Sequence, residues 1–132
     1  ISAQDLDKWQ EEGFIQFLGR SENVRSHLND STVFVLPSYR EGTPRTVLEA
    51  MAVGRPIITT DVPGCRETTT HGLNGLLVKS HDVTSLQLAM EEMFLNSEKI
   101  IEMGAQSRRI AEEKYDVHKV NSVICKTIND HI

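Results

Sequence analysis

The sequence predicts an α/β fold with a parallel sheet flanked by helices. Three observations predict it. Two short, continuous apolar runs, "TVFVL" at 32–36 and "PIITT" at 56–60, have the composition of strands buried on both faces. Helix-length segments with helical spacing and caps lie between and after such runs. A chain of 132 residues that is 39% hydrophobic and 25% charged is one domain, 1–132, or part of one.

The opening "ISAQDLDKWQ" lacks an initiator Met and reads as a piece of a longer chain. "FIQFL" at 14–18 alternates like a strand. "SENVRSHLND" carries a serine cap, and Val24 and Leu28 stand four apart, as on one side of a helix. "TVFVL" is a strand ended by Pro37. The stretch "SYREGTPRTVLEAMAVG" at 38–54 is a turn followed by a helix. Thr43 suits the N-cap, Pro44 the first helical position and Gly54 the position past the end. Val47, Leu48 and Met51 form the side directed at the sheet, while Arg45, Thr46 and Glu49 share another side. "PIITT" is the next strand, and "DVPGCRETTT" at 61–70 is a loop leading into a short helix. In "GLNGLLV", Gly72 and Gly75 supply a turn before a strand. From Asp82 the pattern is helical, with Leu86, Met90, Met93 and Phe94 on one face. A second helix is expected at about 97–115 and a last one at about 117–128.

The net charge of −5 argues against a nucleic-acid partner, which selects basic surfaces. No run of eighteen apolar residues offers a membrane span. Cys65 and Cys125 lack metal-ligand spacing and read as free thiols of a reducing compartment. His27, His71, His81, His118 and His131 are scattered, and His71 reads as a solvated loop residue. No metal-bridging Asp-x-Asp is read into the chain, so neither a metal nor another cofactor is expected.

In a parallel sheet with right-handed crossovers, ligands bind where strand ends lead into helices. The 38–54 stretch is such a place. A helix N-terminus offers unpaired N–H groups and partial positive charge, a seat for phosphate. Gly42 removes a side chain where backbone must approach a ligand. Glu41 would repel a bare phosphate but could accept hydrogen bonds from sugar hydroxyls. Glu49, roughly 7–8 Å along the helix from Pro44 at about 1.5 Å per residue, could take a second diol such as a ribose. Together these describe a nucleotide-sugar. Either glutamate taken singly reads as a solvated charge.

The segment "VFVLPSYREGTPRTVLEAMAVGRPIITTDVPGCRETTTHGLNGLLV", preceded by "FIQFLGRSENV", resembles the signature of the retaining family-four (group 1) glycosyltransferases of GT-B fold. The likeness covers residues 14–78 and is greatest to bacterial enzymes of cell-surface polysaccharide synthesis. It implies a Rossmann-like, truncated C-terminal donor-binding domain with the N-terminal acceptor domain absent. It implies that Glu41 contacts the donor sugar at the reacting centre and that Gly42, Thr43 and Pro44 form the amide turn. Thr46 and Val47 would approach the phosphates, Glu49 the ribose, and Gly19, Arg20 and Ser21 the base. The donor would be a nucleoside diphosphate sugar of UDP or GDP type. The acceptor, a glycan or a polyprenyl-diphosphate-linked one, would be met through the missing domain. The enzyme would be cytoplasmic, at most peripheral to the inner membrane face. The family's upstream arginine and lysine fall before Ile1; Arg45 is then either a local cation or an outward helix charge. Glu67 matches a recurrent glutamate, read as helix-start support. A non-catalytic nucleotide- or protein-binding relative and a sugar phosphorylase relative are the alternatives. The final helices are expected to leave some apolar surface exposed.

Overall fold

Side chains on a strand point alternately to the two faces of its sheet, so a sheet built of apolar runs needs a cover on each. The computed structural model describes residues 2–19, 22–40, 42 and 44–115. Within them lie, in order, α1 (Ala3–Glu11), α2 (Val24–Asp30), β1 (Phe34–Leu36), α3 (Arg45–Ala52), β2 (Ile57–Thr60), β3 (Gly75–Val78), α4 (Val83–Phe94) and α5 (Ser97–Ile110). α5 runs on into a π-helical turn, Ala111–Tyr115. The strands are parallel in the order β1-β2-β3, with Val35 opposite Ile58 and Ile58 opposite Leu76.

Both covers are present. Ile57, Phe34 and Leu36 face Leu28 of α2 and Val47, Ala50 and Met51 of α3. On the opposite face, Ile58, Leu76 and Val78 meet Leu86, Ala89 and Met93 of α4 and Met103 of α5. The expected α/β architecture with a parallel sheet is therefore observed.

α3 ends in a Schellman turn. Gly54 has φ +79, its N–H donates to the Met51 carbonyl, and the Arg55 N–H donates to the Ala50 carbonyl. α5 crosses this end so closely that a β-carbon on Gly104 would overlap the Gly54 carbonyl oxygen. Arg108 donates to the Ala52 carbonyl, one of the helix-end acceptors. Where β3 begins, buried Asn74 donates to the Thr68 carbonyl and accepts from the Thr70 N–H, while Ser107 of α5 donates to the Asn74 carbonyl.

Several expectations are corrected. Residues 14–18 form no strand: no described strand pairs with them, and Phe14 and Phe17 are 74% and 60% exposed. Alternation alone cannot make a strand without a neighbour to accept its hydrogen bonds. Residues 61–70 form turns, not a short helix. Their side chains take the local bonds instead: Glu67 accepts from the Gly64 N–H at 2.7 Å, and Thr68 donates to the Cys65 carbonyl at 2.7 Å. Glu67 thus closes a turn rather than supporting a helix start. Gly72, at φ +84, is the turn glycine. Gly75 instead opens β3, where any β-carbon would strike the Ile57 backbone. On α4 the buried line is Ala89 and Met93, while Met90 and Phe94 are exposed. α1 was not anticipated, although its Ser2 cap, which accepts from the Asp5 N–H, is visible as Ser-x-x-Asp. The helix expected at 117–128, and Cys125, lie outside the described residues.

Gly104→Ala should destabilise the fold by about 1–3 kcal/mol, the usual cost of overpacking, although alanine is the better helix former. Urea unfolding checks this; a midpoint at or above the parent's would refute the close crossing.

Candidate functional site

Three loops leave the C-terminal ends of the strands, and the first leads into α3. Pro44, with φ −74 and ψ 114, is the N-cap residue, and no side chain caps the helix. Proline was expected one position later, at the first helical residue. Its extended ψ puts it outside the helix, and Thr43 lies outside the described residues. The Val47 and Leu48 N–H groups donate to the Pro44 carbonyl at 3.1 and 3.3 Å, so the Thr46 N–H precedes the ladder.

The expected site residues separate into distinct positions. Gly42 is exposed and needs no special backbone angle, and a β-carbon there would meet no atom within 4 Å. Among the described residues nothing requires a glycine at 42. Pro44 is buried, and Thr46 is exposed on the first turn of α3. Val47 is fully buried, with its side chain in the core and its N–H committed to Pro44. Gly19, at φ +66, lies in the exposed segment after residues 14–18. Glu41, Arg20 and Ser21 lie outside the described residues.

Glu49 departs from its expected side of the helix. Arg45 and Thr46 are exposed, but Glu49 is only 7% exposed. Burial raises its pKa above the ordinary 4.5, and the Arg45 charge one turn earlier opposes that shift without cancelling it. A helix that otherwise buries Val47, Ala50, Met51 and Ala52 thus carries a desolvated carboxyl midway along.

Two groups escaped the sequence reading. Tyr39 and His81 stack, ring centroids 4.0 Å apart and planes 11° apart, over a cavity of about 330 Å³ lined also by Pro37, Thr60, Val78 and Lys79. No sequence signal marks the pair, because the residues are 42 positions apart and meet only through strand order. His71 is structural: its Nδ1 accepts the Leu77 N–H at 3.0 Å on the outer strand. Asp5-Leu6-Asp7 does have Asp-x-Asp spacing, but it lies inside α1, where residues two apart do not share a face. Among the described residues, no three His, Cys, Asp or Glu side chains converge as metal ligands, and no helix is long and apolar enough to cross a membrane. Cys65 is a buried free thiol.

The arrangement is that of the GT-B glycosyltransferases. The structure of HepE from Anabaena, solved in complex with UDP, matches with a TM-score of 0.79 and 23% identity over 96% of this chain and 35% of that one. The C-terminal domain of a group 1 glycosyltransferase from Francisella tularensis matches with a TM-score of 0.67 and 24% identity, over 86% of this chain and 65% of that one. The family model for group 1 glycosyl transferases matches residues 2–96, and the chain belongs to that family. An uncharacterized glycosyltransferase of Haemophilus influenzae is 30% identical over 83% of this chain. The Campylobacter jejuni N,N'-diacetylbacillosaminyl-diphospho-undecaprenol alpha-1,3-N-acetylgalactosaminyltransferase is 35% identical over 67% of it. The chain spans 31% and 23% of those two proteins.

A carboxyl whose pKa is higher folded than unfolded binds more protons when folded, so stability falls as pH rises between the two values. Glu49→Gln should therefore melt above the parent at pH 7, with the advantage shrinking as pH falls to about 4, below the ordinary 4.5. Thermal melts across that range check it; a Glu49→Gln variant less stable at pH 7 would contradict the assignment. Gly42→Ala should leave the unfolding free energy, read from urea melts, within about 0.5 kcal/mol of the parent, as for other surface changes.

Proposed function

We propose that this chain is the donor-binding part of a retaining glycosyltransferase that moves a hexose or N-acetylhexosamine from a nucleoside diphosphate sugar to a glycan or lipid-linked acceptor. The observation that carries the reading is Glu49: a desolvated carboxyl held one turn inside the helix that follows an open glycine-proline turn. Burying an acid costs stability, and hydrogen-bond donors from a bound diol would offset that cost. The exposed backbone at Gly42 and the first turn of α3 supply N–H groups for a diphosphate.

In this reading Glu49 holds the ribose hydroxyls, and Glu41 positions and polarises the transferred sugar. The helix N–H groups stabilise charge growing on the leaving diphosphate. The two acids hold different parts of the donor, so a double displacement by paired carboxylates is not invoked. Displacement occurs on the same face, assisted by the leaving phosphate. Gly19, Arg20 and Ser21 border the base, and Arg45 is a candidate local cation. Thr43 and Pro44 shape the turn, while Thr46 and Val47 bring the helix start to the phosphates.

The family supports the class of reaction, and the names of its members support the acceptor. The Campylobacter relative acts on a diphospho-undecaprenol-linked substrate, and a 34% identical relative from Staphylococcus aureus serves capsular polysaccharide biosynthesis. A uridine donor fits the UDP held by the Anabaena structure. The reaction would take place in the cytoplasm, with the rest of the enzyme supplying any contact with the inner membrane face. The chain by itself would not turn over, since donor and acceptor domains must close on the reactants.

A donor screen on the full-length enzyme tests the proposal. Glu49→Ala should weaken donor binding about ten- to a hundredfold, the range for hydrogen bonds to a charged group, with a smaller effect on turnover. Glu41→Ala should lower turnover about a hundredfold through misplacement of the sugar, with donor affinity largely kept. Unchanged kinetics in both variants would defeat the site.

A further inference from the structure

We propose that His81 is a positioning residue for the β1–α3 loop, acting through its stack on Tyr39. The inference rests on the reading above, in which that loop meets the donor.

His81 is the non-glycine residue among those described that has a positive φ, +58. That region disfavours a β-carbon, and it is kept where surroundings enforce it. The surroundings here are a closed turn. The Lys79 N–H donates to the Ser85 hydroxyl at 3.1 Å, and the Ser85 N–H donates to the Asp82 carboxylate at 2.9 Å. The turn between β3 and α4 is thereby fixed at both ends and projects the His81 ring over the end of the sheet. There it lies flat on Tyr39, 4.0 Å between centroids and 11° between planes.

Tyr39 sits on a different kind of segment. It follows β1 by three residues, precedes Gly42 by three, and is 66% exposed. It has no core to pack into. The stack ties the middle of this loop to the turn across the end of β2, and both rings line a cavity together with Thr60. Loop position, and with it the backbone at Gly42, then depends on a ring contributed from the far side of the sheet. A ligand-binding loop held in one place spares the ligand the cost of ordering it.

The test uses the full-length enzyme. Glycine is the informative truncation at 81, because it adopts positive φ freely and leaves the turn's backbone in place. His81→Gly and Tyr39→Ala should each raise the donor KM about two- to tenfold, the range a stacked aromatic pair commands. The double variant should be no worse than Tyr39→Ala alone, since the two act as one unit. His81→Phe should restore the parent KM. Hydrogen exchange read by mass spectrometry supplies a second readout that needs no donor. Peptides covering 37–44 should exchange faster in His81→Gly, while peptides covering 57–60 stay as in the parent. Additive KM effects, or unchanged exchange at 37–44, would overturn the proposal. Faster exchange at 37–44 in an enzyme whose parent binds no nucleotide-sugar would uphold the clasp and refute the donor reading instead.

Discussion

The position of α3 is the constraint on which the rest depends. Its far end is pinned by a backbone-on-backbone approach and by one side-chain hydrogen bond. The Gly54 carbonyl lies against the α5 backbone at Gly104, and Arg108 reaches the Ala52 carbonyl. Val47 and Met51 then lock its inner face to Ile57 and its neighbours. A helix is a rigid rod at this length, so fixing its C-terminal end and one face also fixes where its first turn points. That direction is the C-terminal edge of the sheet, where the β1–α3–β2 crossover delivers it.

This placement accounts for the energetics of Glu49. With α3 unable to roll, the residue two positions after Val47 is left only 7% exposed, and its carboxyl titrates above the ordinary value. The nearby Arg45 charge lessens the cost but does not remove it. An apolar or amide side chain would serve the fold better at that position. Retaining an acid where it costs stability is the pattern expected of a group kept for a ligand.

The elements that could be read from the sequence are those whose signal is local. β1 and β2 are continuous apolar runs, and α3 is bracketed by Pro44 and Gly54, so the loop between strand and helix could be placed by residue number. What could not be read depends on partners distant in sequence. Residues 14–18 have the apolar composition of a strand, yet pairing requires a neighbouring strand, which no local pattern reports. Gly75 looked like turn chemistry, and only the nearness of the Ile57 backbone shows why it must lack a side chain inside β3. Glu49 was assigned to a polar side shared with Arg45 and Thr46, because helical spacing gives the angle between residues but not where the cover ends. The left-handed turn at His81 has no signature at all, since histidine is an ordinary residue until a stack and two hydrogen bonds hold it there.

The two ends of the candidate site are therefore built on different principles. On the helix side, position comes from backbone packed on backbone, which allows almost no adjustment. On the loop side it comes from exposed rings in face-to-face contact, one of them carried by the hydrogen-bonded turn after β3. Binding a large, flexible, charged molecule benefits from both. The fixed side presents N–H groups whose orientation is settled before the ligand arrives, so no ordering of that half is needed. An anion arriving at the first turn of α3 would meet positive potential from aligned peptide dipoles, on a chain whose net charge is −5.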